Sequence, residues 1–509
     1  MKKLLFVFLA VLLLLPATAF AQKQVASWLT LGGDYQARYD YLYGKSAPYY
    51  TAGNGAKAAF GEAFSSTDAQ RYKQDSLITN RFRISMAAKP LRFVNVKARL
   101  SMYKVSGADS GSAIEQGAGN GGGGFFMDRF GQMDGTLGRV PGSDYVNVDY
   151  AYATWFNIAD TPTWFSIGRR PSAGGIPGNL RRNVIKTGTS GTPNLLVDYV
   201  FDGISIGWAP YIAQLPGFYV KACAGQGFNA GYSNLSNTDF VGIFIAPYET
   251  RRLSFIVQWD RGMNIFDAPP DLTLPTNDTS GIQEVLQPKT NVGNIDWYGG
   301  VANGQIHNFN YFLAGALSHA MPNGQGAAAF DPFIEQALDQ ASPGTFVDPA
   351  TGFPRPVSSL SAANQAAVKG FEPKMLDGHD HYGWAVYLGG RYDFPATRTK
   401  IGAEYNHGSA DWIGFVPAND DMWTAKLGVR GNVYEVYAIQ ELHNKAIDKI
   451  ANAFFRLGYQ YYDIQNTGSN DWLTAPVAMD NLLSSPNNAQ FFTPIRSAQD
   501  LYLTFNVQF

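Results

Sequence analysis

Apolar and polar side chains alternate from one end of this chain to the other, and no other feature limits its fold as much. The last nine residues show the pattern most clearly. Phe509, Val507, Phe505, Leu503 and Leu501 are apolar, Gln508, Asn506 and Thr504 between them are polar, and Tyr502 is amphipathic. A strand with period two presents these sets on opposite faces. The same pattern would close an ordinary half-buried sandwich, so the rest of the chain decides which phase the apolar face meets.

Segments with this period recur between Gly-, Pro- and Asn-rich stretches. They place strands at 29–41, 77–88, 92–104, 145–156, 164–169, 195–208, 218–224, 239–246, 253–260, 294–302, 308–319, 383–393, 399–407, 422–441, 454–463 and 501–509. Within 422–441 the apolar positions are odd up to Val429 and even from Tyr434, which reads as a β-bulge near Gly431 joining two halves. Joined, the strands number sixteen; split, seventeen. An even count returns both termini to one rim, with fourteen and eighteen as the neighbouring even counts.

The links at 89–91, 157–163, 209–217, 247–252, 303–307 and 394–398 are short, with 443–452 read as a turn. Those at 42–76, 105–144, 170–194, 261–293, 320–382 and 465–499 are long. That asymmetry fits a closed antiparallel transmembrane β-barrel with short periplasmic turns and long extracellular loops.

Export fits the same reading. Residues 1–21 carry a signal-peptide pattern: Lys2 and Lys3, an apolar run from Leu4 to Leu15, and Ala19-Phe20-Ala21 at the cleavage site. Residues 22–509 then form one domain in the outer membrane. No later apolar run reaches the roughly 18 residues of a membrane helix. Removing Lys2 and Lys3 from 39 basic residues leaves 37 against 41 acidic ones, a formal charge of −4 that argues against nucleic acid as a partner. Aromatic residues at 14% and charged residues at 16% suit a barrel with interfacial girdles, with Trp28, Tyr41, Trp164, Trp208, Trp259, Tyr392 and Trp423 as girdle candidates. The single Cys223 allows no intrachain disulfide, and no haem-attachment motif is present, so no cofactor is expected. The chain's end resembles the signal read by the barrel assembly machinery, with Tyr502 and Phe509 as its candidate residues.

The inward faces carry charge. Arg38, Arg81, Arg83, Lys97 and Arg99 fall on three neighbouring strands, and Arg169, Arg170, Arg181 and Arg182 flank or occupy the third long loop. Folded inward, that loop would narrow a pore, and the arginines would draw anions into it. The alternative is purely structural pairing with Asp34, Asp149, Asp296, Asp393 or Glu404 across the lumen; the two are compatible, because a paired guanidinium still lines water.

Other motifs carry less. His379 and His381, beside Asp377 and Asp380, are weak metal candidates at a point where a loop re-enters the barrel. His407 reads as a turn-stabilising donor. The glycine-rich Gly117–Gly124 lacks the Lys-Ser/Thr of a phosphate cradle and reads as a surface loop. Helical spacing is confined to 331–340 and 358–371. No catalytic triad can be claimed, and no enzyme is expected.

Two motifs are more specific. Ile167-Gly168-Arg169-Arg170-Pro171-Ser172 followed by Gly174-Gly175-Ile176-Pro177, and Tyr405-Asn406-His407-Gly408-Ser409 followed by Trp412, resemble a porin-like family of unknown function found in bacteria that respire metals. The resemblance spans most of the mature chain. It implies an outer-membrane barrel and supplies no catalytic residues.

The expected function is passive diffusion of small hydrophilic solutes, with a preference for anions. The partners are outer-membrane lipid and the assembly machinery, and a trimer is the analogy offered by general porins. The resemblance also suggests a second role, a sheath around a periplasmic multihaem cytochrome in an electron conduit. A rim-located hydrolase is the third reading.

Overall fold

The computed structural model describes residues 23–51, 66–107, 141, 145–184, 192–231, 235–266, 272–274, 284–286, 290–325, 335, 338–339, 343–350, 354–371, 379–416, 421–442, 451–470, 472, 475–485, 488–490 and 493–509. The signal segment 1–21, Gly117–Gly124, Asp377, most of 331–340 and most of the turn at 443–452 lie outside them.

Sixteen long strands form the wall. They are β1 (Leu29–Ser46), β2 (Arg71–Leu91), β3 (Val94–Val105), β4 (Asn147–Phe156), β5 (Thr163–Arg170), β6 (Phe201–Trp208), β7 (Tyr219–Phe228) and β8 (Thr238–Glu249). The second half comprises β9 (Ser254–Phe266), β10 (Asn291–Ile306), β11 (Phe309–Pro322), β12 (His381–Phe394), β13 (Thr399–Gly408), β14 (Gly431–Glu441), β15 (Asn452–Ile464) and β16 (Ile495–Gln508). Each pairs antiparallel with its neighbour in the chain, and β16 pairs with β1 from Ile495↔Ser46 to Gln508↔Asp34. The sheet therefore closes and leaves no long edge open. Past the last ladder pair, the Phe509 amide donates to the Gly33 carbonyl at 2.9 Å, and the Gly33 amide donates to that of Phe509 at 2.6 Å. A short strand, Lys23–Ala26, folds back on the start of β1.

The pleat sorts side chains as the period requires. Outward positions expose large apolar groups, among them Leu313 at 57%, Ile401 at 52% and Leu503 at 40%. Inward positions bury polar groups such as Gln36, Arg38, Asp40, Glu404, Glu435 and Thr504. A water-soluble fold does the reverse; an apolar exterior belt is what a bilayer solvates. Trp28, Tyr41, Trp208 and Tyr392 are exposed on this belt, but Trp164 and Trp423 are buried inside.

Several strands run beyond the expected bounds, on to Ser46 and Phe266 and from as early as Arg71 and Ile495, and two start several residues later than expected. Strand β14 starts at Gly431, whose φ of +151° lies in the region that favours glycine, so no bulge joins 422–429 to it. Residues 422–430 instead run through the interior, entirely buried, with one 3-10 turn at Lys426–Gly428. Likewise β6 starts at Phe201, and 195–200 belong to a buried inward segment. In both places alternating apolar residues contact interior surfaces without joining the wall. Between β11 and β12, helix α1 (Ala362–Phe371) forms within the stretch that carried helical spacing.

Candidate functional site

The interior of the barrel is the candidate site, and its wall divides into three sectors. On β2 and β3 the inward basic groups are Arg81, Arg83, Lys97 and Arg99, of which only Arg81 is buried, and β4 adds the buried acid Asp149. Arg83 Nε donates to both Asp34 oxygens at 2.9 and 2.8 Å, and its side chain stays 19% exposed. Arg81 lies 4.0 Å from Asp34 and 5.4 Å above the Tyr103 ring. Arg99 donates to Asp149 and covers the Tyr150 ring at 4.7 Å, with 18% of its side chain exposed. Lys97 is exposed at the periplasmic end of β3. Arg38 lies around the seam from this sector; it is buried, donates to Asp40 at 2.7 Å and Asp500 at 2.8 Å, and stacks 4.5 Å from Tyr502. Tyr502 therefore faces the interior.

The second sector, β12–β16, is covered by two loops. The described parts of the connection between β5 and β6, 171–184 and 192–200, descend far enough that Asn183 accepts from Lys400 Nζ at 2.7 Å and donates to Glu441 at 2.9 Å, close to the short turns. Residues 409–416 and 421–430, between β13 and β14, lie beside them. Between them they bring Arg181, Asp421 and Lys426 onto the wall carboxylates. Arg181 pairs with Asp421 at 2.6 Å and with Glu435 at 3.1 Å. Lys426 Nζ lies 2.5 Å from both Glu404 and Glu435. Tyr387 donates to Glu404 and Tyr502 to Glu435, each at 2.5 Å, and Gln460 Nε2 donates to Asp421 at 2.7 Å. The Leu180 and Arg181 carbonyls accept from Arg391 and Arg456, both at 2.7 Å. Burial pushes the Asp421 carboxyl upward, but the charges of Arg181 and Lys426 outweigh this and hold it below its ordinary value of 3.8.

The third sector, β6–β10, is apolar where it meets the loops, with Lys221, Gln258 and Asp260 buried elsewhere on its inward face. Phe240, Trp297, Ile295 and Val301 of the wall pack with Leu195, Leu196, Ile413 and Phe415 of the loops. An interior lined throughout by hydrophilic groups is thus not what the chain builds. One side is wet and basic, one ionic and dry, one apolar.

The remaining expected residues divide by strand parity. Arg170 points inward, is buried, and donates weakly to Cys223 Sγ at 3.8 Å. Arg169 shares the outward face with exposed Ile167 and pairs with Asp202 at 3.0 Å. It faces away from the lumen. Arg182 turns back on its own loop and donates to the Gly178 carbonyl at 3.2 Å. Of the acids expected across the lumen, Asp296 instead pairs with Arg261 at 2.6 Å on the outward face. Asp380 pairs with His319 at 2.8 Å, and His407 contacts Asn432 at 2.9 Å. Among the described residues, no group of three or more His, Cys, Asp or Glu side chains gathers as a metal site around His379, His381 or elsewhere. Sequence reasoning missed Asp421, Lys426 and Glu435. Glu435 had a usable signal, an acid on the inward parity of a strand that needs a partner.

The model of a family described as "protein of unknown function (DUF3373)" matches residues 71–509. The chain belongs to that family. This DUF3373 protein finds no match among curated proteins. Solved structures similar to it include OmpF of Salmonella typhi in complex with daunomycin, at 9% identity and a TM-score of 0.41, covering 94% of this chain and 97% of that one. An anion-selective porin from Comamonas acidovorans is similar at 10% identity and TM-score 0.42, over 94% and 99%. Outer-membrane expressed OmpT of Vibrio cholerae is similar at 10% and 0.39, over 95% and 99%. The strand count and closure of the DUF3373 barrel stand on its own pairing.

Proposed function

We propose that this barrel sits in the outer membrane and is a narrow channel through which small hydrophilic solutes diffuse passively, with anions preferred. The observation that carries the reading is the β2–β4 wall. There Arg83, Arg99 and Lys97 face inward and keep contact with solvent, while the opposite wall is covered by 171–184, 192–200, 409–416 and 421–430. Solute would pass between the basic wall and the loops. Guanidinium groups held by Asp34 and Asp149 keep a fixed position and still present N–H groups to water, which suits transient contact with anions.

The sheath role gains no support from the interior, because segments of the chain itself occupy the space against β6–β16 that a second protein would need. A hydrolase would need a nucleophile beside the His319–Asp380 pair, and that pair lies on the outward face against the Tyr382 ring at 4.3 Å. The test is conductance of the purified barrel in planar bilayers together with solute-driven swelling of barrel-containing liposomes. Discrete conductance steps and swelling limited to small solutes are expected; membranes that stay sealed at high barrel density would reject the channel.

A further inference from the structure

The inward positions at the middle of β6–β8 are small. Gly203 and Ser205 on β6, Cys223 and Gly225 on β7, and Gly242 on β8 alternate with the exposed Ile204, Ile206, Ala224 and Ile243. Ser205 pairs with Cys223, Cys223 with Gly242 and Gly242 with Asp260, so small groups lie in one row across the sheet. The wall is hollow there. Longer side chains from the flanking strands, Arg170 at the end of β5 and Gln258 and Asp260 on β9, line a cavity of about 40 Å³ together with Cys223, Phe201 and Phe240. Gly242 permits the approach of Asp260, because a Cβ there would collide with Asp260 Oδ1. At about 10–15 Å³ per water, the space takes about three waters or one solute of about three or four heavy atoms.

The polar groups around the cavity are not balanced. Arg170, 9% exposed, has no carboxylate partner among the described residues: Nη1 donates to Cys223 Sγ at 3.8 Å, and Nε has no hydrogen bond. Lys221, buried on β7 with Nζ 4.1 Å from the Phe244 ring, is offset by the buried Asp260. The charge of Arg170 is left over in a buried place, where a charge without a counterion is costly. Its Nε–Nη2 edge presents two parallel N–H groups, the fork that matches two oxygens of a planar oxyanion. Gln258 supplies the complement. Its amide nitrogen donates to Asp260, which fixes its orientation, and its Oε1 has no partner among the described residues. The cavity therefore offers a donor edge and an acceptor at once.

We propose that this hollow between β5 and β9 binds a small monovalent oxyanion that carries a proton of its own, of the size and shape of bicarbonate. Two of its oxygens accept from the Nε–Nη2 edge of Arg170, its charge offsets the guanidinium, and its hydroxyl donates to Gln258 Oε1. Nitrate fits the edge but leaves Gln258 unserved. Chloride cannot span the fork, and sulfate is too large for the space. The site lies apart from Arg83 and Arg99 on β2 and β3, so it stands whether or not the barrel conducts.

The experiment uses the full-length barrel in detergent at fixed pH and ionic strength. It reads line broadening of ¹³C-labelled bicarbonate and the alkylation rate of Cys223, the chain's single thiol, which lines the cavity. Bicarbonate should be broadened and should slow alkylation at least threefold at saturation, nitrate should act more weakly, and chloride and sulfate should not act. Arg170→Gln should abolish both effects, and Gln258→Leu should bring bicarbonate down to the level of nitrate. Arg261→Gln, on the outward face, should change nothing. Closure of each barrel is checked by heat-modifiable gel migration. If Arg170→Gln does not close, Arg170→Lys decides, since it keeps the charge, loses the fork and should weaken bicarbonate about tenfold. Absence of broadening in the parent barrel overturns the site, as does broadening without protection of Cys223, or protection that survives a closed Arg170 variant. Chloride protecting as well as bicarbonate overturns the oxyanion assignment, and nitrate protecting as well overturns the role of Gln258.

Discussion

The β2–β4 and β12–β16 sectors of the wall begin from the same sequence device, polar residues at every second position, and end in opposite environments. On β2–β4, Arg83 and Arg99 keep nearly a fifth of their side-chain surface, 19% and 18%. On β13 and β14, Glu404 and Glu435 retain 1% each, beneath Lys426 and Arg181. Alternation sends a side chain inward, but it does not decide whether water or protein waits there. The loops decide that. A porin-like wall can thus be wet on one side and sealed on the other without any change in strand grammar.

The strongest way to break the contrast is to remove the hub of the sealed side. Glu435 holds Arg181 and Lys426 and accepts from Tyr502. Glu435→Gln should cost the covered state about 3–5 kcal/mol, the usual penalty for stranding buried partners. Hydrogen exchange at 178–184 should accelerate by about two to three and a half orders of magnitude, which is what that energy converts to. Exchange within tenfold of the parent would count against the network.

On the wet side, Arg83→Gln with Arg99→Gln should leave 178–184 and 421–430 protected and act on ion preference instead. A unit charge at about 4 Å is worth about 1 kcal/mol in water, or about fivefold in relative permeability per charge removed. Reversal potentials measure it, and a double variant with unaltered selectivity would place the ion path elsewhere.

Acid should distinguish the sectors next. Asp421 is held below its ordinary value, so in the folded protein it gives up its proton more readily than when unfolded. Its stabilising contribution is then present above the ordinary value of 3.8 and disappears as pH falls through the lower folded value. Protection of 178–184 and 421–430 should be flat from neutral pH down to about the ordinary value of 3.8 and fall between there and the lower folded value. Loss of protection already near pH 6 would contradict the assignment. Smallest of all, Arg261→Gln removes an outward pair whose arginine is 37% exposed. It should change thermal stability by less than about 1 kcal/mol and conductance not at all.

The barrel was largely legible because a period of two is a local property, read within each strand. All sixteen wall strands carry it, and the terminal stretch through Phe509 closes the sheet on β1. The error at 422–429 shows the limit. Trp423, Ala425, Leu427 and Val429 alternate as a strand does, but they do so to fit a filled interior, with Trp423 Nε1 donating to the Gln499 carbonyl at 2.8 Å. Parity carried through Gly168 separates Arg170 from Arg169, and grouping them as loop arginines lost that. The buried ion-pair network was not legible. Arg181 and Glu435 are 254 positions apart, and nothing local in either segment names the other.

The reversal potential of the parent barrel under a salt gradient tests the central claim most directly, because it reads the charge of whatever wall the ions touch. Flow along β2–β4 predicts a potential of anion-selective sign, shrinking when Arg83 and Arg99 lose their charge. A cation-selective potential, or one indifferent to those two residues, would contradict it.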